Sequence, residues 1–65
     1  MKDWQERVVE ERKELAEKAK NLDRFLDSDT YDALDADERA TLIVQAHAMM
    51  LYASALDVRI ASFEN

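Results

Sequence analysis

The sequence has no glycine, no proline and no cysteine, and only one histidine and one tryptophan. Each gap removes a class of function. Without cysteine there are no disulfides and no thiolate zinc sites, and thiol usage says nothing about redox compartment. A single histidine gives no basis for a His-rich metal centre. Without glycine the chain has neither a phosphate-cradling loop nor a nucleophile elbow. Ser28, Ser54 and Ser62 are present, but no local pattern pairs any of them with His47. The sequence therefore predicts a protein that is not an enzyme, with no catalytic residues, no metal and no cofactor.

Cations are also scarce. Nine Lys and Arg face 15 Asp and Glu, a formal net charge of −6. Binding to DNA or RNA needs clustered cations that release phosphate counterions, so nucleic acid is not an expected partner. Adhesion to an anionic membrane is disfavoured for the same reason. Residues 41–60 reach membrane-spanning length, but Gln45, His47, Asp57 and Arg59 interrupt them, and ionised groups are costly at bilayer depth. The segment is read as a soluble helix, with no membrane partner. The opening Met-Lys-Asp-Trp-Gln-Glu-Arg lacks the apolar run of a secretory signal, and the expected compartment is the cytoplasm.

At 65 residues a folded chain hides only ~60% of the surface it exposes when unfolded. With disulfides and thiolate metals closed off, self-association is the remaining stabiliser.

What the sequence does contain is helix. Residues 3–26 are rich in Glu, Lys, Arg, Leu and Ala, and Val8, Leu15 and Leu22 recur every seven positions. Trp4, Ala19, Phe25 and Leu26 widen that stripe, opposite a charged face. Residues 27–36 hold short polar side chains that favour caps and turns. Ser28 is a candidate cap for a short turn over about 29–34. Asp35 followed by Glu38 resembles a capping box that starts a helix over about 36–62. In that helix Leu42, Ala46, Met49, Ala53, Leu56, Ile60 and Phe63 alternate by four and three, a seam for one partner helix. Ile43, Val44, Met50, Leu51 and Val58 lie elsewhere on its circumference, so one partner cannot cover them. The expectation is a single all-α domain over 1–65: an antiparallel two-helix hairpin with a helical turn in its connection, assembled into a homo-oligomeric bundle through those five residues.

Gln45, Tyr52 and Arg59, spaced by seven, form a polar row beside the seam. If facing residue numbers add to the low sixties, Arg59 lies near Trp4 and Arg7, and Tyr52 near Arg12. Arginine is a planar set of donors suited to phosphate, and aromatic faces stack on bases. Arg7, Arg12, Tyr52 and Arg59 are thus the candidate ligand-binding residues. A structural reading stands beside this one: Arg59 pairs with Glu6, Glu10 or Glu11, Arg12 with a neighbouring acid, and Gln45 and Tyr52 hydrogen-bond across a helix interface to fix register.

Arg7-Val8-Val9-Glu10-Glu11, Glu14-Leu15, Lys18, Leu22, Phe25 and Leu26, followed by Leu34, Glu38, Leu42, Gln45, Met49, Tyr52, Leu56, Arg59 and Ile60, resemble a family of short phage-encoded helical hairpins named for a crAss-like phage. The resemblance spans residues 5–63. It implies an antiparallel hairpin that oligomerises. More distantly the chain resembles phage anti-defence hairpins that act as sponges for the cyclic nucleotide signals of CBASS or Thoeris immunity. That resemblance implies capture of a small anionic nucleotide without hydrolysis. The net charge opposes long-range attraction, but arginines converging from several subunits can still make a local site. The alternative is a structural or protein-interaction module, either self-assembling or masking a host defence protein with a helix face. A DNA mimic ranks last, because the carboxylates are interleaved with Lys and Arg.

Overall fold

With no glycine or proline to interrupt it, the chain enters helix at Asp3 and stays helical for 24 residues. In the computed structural model, which describes residues 1–63, α1 spans Asp3–Leu26, α2 spans Asp29–Asp32 and α3 spans Ala36–Ala61. The described residues contain no strand.

Turning the chain without glycine takes two side-chain caps. No described residue has positive φ, so the reversal is made by extended backbone at Ser28 (φ −95°, ψ 157°) and Asp35 (φ −68°, ψ 164°). The Ser28 hydroxyl donates to the Phe25 carbonyl at 2.6 Å and accepts the Tyr31 N–H at 3.1 Å. One side chain thereby closes α1 and opens α2. An Asp35 carboxylate oxygen accepts the Glu38 N–H at 2.8 Å, satisfying an otherwise orphaned donor at the start of α3. Asp37 and Glu38 add negative charge at the positive end of that helix. Tyr31 packs edge-on against Phe25, ring centroids 6.3 Å apart, and closes this end of the molecule.

α1 and α3 pack along a thin core. Val8, Leu15 and Leu56 are buried, and Met49, Ala53, Ile60 and Phe63 pack against them. The α3 residues shielded by α1 are those of the four-and-three alternation, Leu42 to Phe63. The helices run antiparallel, since Trp4 meets Phe63 and Arg12 meets Asp57.

The register differs from the expected one. These facing pairs add to the high sixties, not the low sixties, so Arg12 faces Asp57 and Tyr52 stands level with Ala16. The cause lies in the connection. α2 packs beside the end of α1, and the Arg39 guanidinium reaches the Asp32 carbonyl at 3.5 Å. This slides the first turns of α3 past the end of α1. The rod is 48 Å long, more than the roughly 39 Å that 26 residues of helix supply at 1.5 Å each.

Two polar residues of α1 belong to the seam. Gln5 and Arg12 continue the alternation Val8, Leu15, Ala19, Leu22. Gln5 is buried, and its side-chain oxygen accepts the Lys2 N–H at 2.9 Å.

Among the described residues nothing covers the back of α3. Val44, Leu51 and Val58 are 65%, 73% and 71% exposed. Ile43 and Met50, which share a row between this back face and the seam, are also exposed. By length and composition α3 could also cross a membrane.

Candidate ligand-binding surface

The hairpin has two long edges, and the register decides which side chain lies on which. Residues seven apart share a helical row. Gln45, Tyr52 and Arg59 therefore run along one edge of α3, beside the seam residues Leu42, Met49, Leu56 and Phe63. The rows of α1 on that edge carry Trp4, Glu11 and Lys18, with Arg7 one row further round. Tyr52 is 44% exposed, and Arg59 and Arg7 are exposed too. Among the described residues neither arginine makes an ion pair.

Trp4 caps the open end of this edge. Its ring packs edge-on against Phe63, with centroids 5.2 Å apart and planes at 81°. Half of its surface remains exposed, so it plugs the hairpin and also presents an aromatic face.

Arg12 lies on the other edge. Its Nε donates to Oδ1 of Asp57 at 2.7 Å and its Nη2 to Oδ2 at 3.3 Å, the two-pronged geometry of a guanidinium on a carboxylate. That hydrogen bonding holds the Asp57 carboxyl below the usual carboxylate range and raises the Arg12 guanidinium further. An anion seeking Arg12 would have to displace Asp57. Of the four candidates, the structure thus gathers Tyr52, Arg59 and Arg7 towards one edge and sets Arg12 apart.

Arg12 heads a groove of about 370 Å³ on its own edge, where Ala16, Ala19, Ala46 and Ala53 leave room between the helices and Met50 forms a wall. A second hollow of about 420 Å³ at the start of α3 is lined by Asp37, Glu38, Thr41 and Leu42. Its two carboxylates suit it poorly to an anionic ligand. Among the described residues, no three His, Asp or Glu side chains gather as a metal site.

Sequence reasoning missed Asp57 as the partner of Arg12, and Gln5 as a seam residue. The signal for both was the continuation of the α1 alternation through positions 5 and 12, which places polar side chains where only apolar ones were sought.

A family model described as Sequestin matches residues 2–62. No curated protein and no solved structure matches the chain.

Proposed function

The chain belongs to the Sequestin family, and from that premise we propose that it is a non-enzymatic sponge, a phage-encoded helical hairpin that self-associates in the host cytoplasm and holds a small anionic cyclic nucleotide without altering it. The observation that carries this reading is the family match over nearly the whole chain, because the family's name denotes sequestration. The surface chemistry is compatible with it. Arg7 and Arg59 have guanidinium groups not engaged by carboxylates among the described residues, and Tyr52 and Trp4 offer partly exposed rings to a base. The absence of a catalytic constellation in the sequence fits capture better than turnover.

The test is calorimetry against cyclic di- and trinucleotides and the cyclic ADP-ribose isomers. A member of that panel should bind saturably and be recovered intact after the protein is denatured. Arg59→Ala and Arg7→Ala should each weaken binding about tenfold or more, with helical content unchanged. Silence across the panel at micromolar protein, or recovery of a cleaved ligand, overturns the proposal.

The exposed apolar back of α3 favours a second reading, in which that face masks a host defence protein. Affinity capture from infected cells separates the two. A stoichiometric protein partner that is retained by the Arg7→Ala, Arg59→Ala double variant supports masking.

A further inference from the structure

The apolar row on the back of α3 reads the same in both directions. Val44 and Val58 stand seven residues either side of Leu51. Ala48 and Ala55 lie beside this row, so that Val44, Ala48, Leu51, Ala55 and Val58 alternate by four and three like the seam that α1 covers. The row on the other flank carries His47 and Ser54, which makes the alanine side the one able to desolvate at little cost. Small residues between larger ones let two helices approach closely. Because the row is symmetric about Leu51, a second copy running the opposite way still sets valine against valine and leucine against leucine, and this direction also opposes the two helix dipoles. Antiparallel pairing also places the acidic first turn of each α3 just beyond the last turn of the other, the turn that carries Arg59.

We propose that α3 docks antiparallel on α3 of a second copy, with Leu51 beside the two-fold axis, and that this pairing completes the polar edge. The inference rests on the proposed nucleotide capture for its meaning, though not for its geometry. The Gln45, Tyr52 and Arg59 row lies between the α1-facing seam and the Val44–Leu51–Val58 row. Once a second α3 is docked, this polar row becomes the floor of a groove walled by α1 on one side and the partner helix on the other. The row is itself symmetric about Tyr52. Arg59 therefore comes beside Gln45 of the partner subunit, and the two Tyr52 rings meet near the axis. Each arginine gains a neighbouring amide that can both donate and accept hydrogen bonds, and the dimer carries two equivalent subsites. The ligand class this favours combines phosphate for the guanidinium with a hydrogen-bonding base edge for the amide.

A chain without cysteine makes single-cysteine variants clean probes, and these positions are exposed enough to substitute without disturbing the hairpin core. Leu51→Cys, Val44→Cys and Val58→Cys would each be treated with a short bismaleimide at micromolar protein and no nucleotide. Leu51→Cys should link to itself nearly completely. Val44→Cys and Val58→Cys should link poorly alone, because antiparallel copies hold them about 21 Å apart along the axis at 1.5 Å per residue. An exchanged mixture of those two variants should link efficiently. A mixture of Gln45→Cys with Arg59→Cys should link as well. Efficient self-linking at Val44 and Val58 would mean parallel helices and overturn the proposal. So would a monomer mass by light scattering, which would leave the face to another partner. Linking at Leu51 without linking between Gln45 and Arg59 overturns the composite edge. If the pairing holds while the whole nucleotide panel is silent, the sponge reading fails alone; if a monomer binds nucleotide, the pairing fails alone.

Discussion

α1 and α3 are nearly equal in length, 24 and 26 residues, and they share one seam, yet their backs are opposites. α1 turns Glu10, Glu17 and Arg24 to solvent, whereas α3 turns out Val44, Leu51 and Val58. A helix with one apolar stripe and a charged back is complete once the stripe is covered. A helix that is apolar on both faces is not complete in a two-helix hairpin, because apolar surface left in water forgoes about 25 cal/mol per Å². The comparison assigns different work to the two faces of α3. The face towards α1 makes the fold, and the face away from it is available for association.

The sharpest way to break that division is to truncate one leucine on each face. Leu56 is 2% exposed and touches the centre of the core. Leu56→Ala should cost about 2–5 kcal/mol, most of the margin of a protein this small. Leu51 is 73% exposed. At dilutions where the protein is monomeric, Leu51→Ala should stay within about 0.5 kcal/mol of the parent. Urea melts followed by circular dichroism check both. Raising the protein concentration should stabilise the parent but not the Leu51 variant, since association adds stability by mass action. Equal losses for the two variants at high dilution would show that the faces are not divided in this way.

The same comparison explains what could be read in advance. Helical period decides which residues share a face, and period is a local property, so the α3 seam from Leu42 to Phe63 is legible letter by letter. Register is not local. It depends on how Ser28, α2 and Asp35 take the chain around the bend, and the position of α2 beside α1 advances α3 by more than a turn. Every inference that needed the register shifted with it: Tyr52 moved away from Arg12, and Asp57 took the place opposite Arg12. The polar row of Gln45, Tyr52 and Arg59 was legible because it is a spacing. Which arginines share its edge was not, because that needs both the register and the membership of Gln5 and Arg12 in the α1 seam.

A smaller effect tests how far the bend stabilises the fold. Asp35→Ala removes the acceptor of the Glu38 N–H and should cost about 1 kcal/mol, as lost helix caps do. Asp35→Asn, which keeps an oxygen in place, should restore most of it. Thermal melts at neutral pH measure both. An Asp35→Ala variant as stable as the parent would mean that the cap adds nothing to the stability of α3 beyond its packing on α1.

The smallest effect belongs to the edge that carries Arg12. The Asp57 carboxyl titrates below its unfolded value because Arg12 hydrogen-bonds its charged form, so its contribution is present above the unfolded pKa, near ~3.9, and is lost as pH falls through the lower folded value. Arg12 stays charged throughout that range. The stability difference between the parent and Asp57→Asn should therefore be flat from neutral pH to about pH 5 and vanish towards pH 2, and salt should shrink it because both side chains are accessible. A difference that survives at pH 2 would place its origin in packing and not in the ion pair. The same variant also separates the two edges of the hairpin. Freeing Arg12 on the groove side should leave nucleotide affinity unchanged if Tyr52, Arg59 and Arg7 hold the ligand, whereas a clear gain in affinity would move the binding surface to the edge that Asp57 now guards.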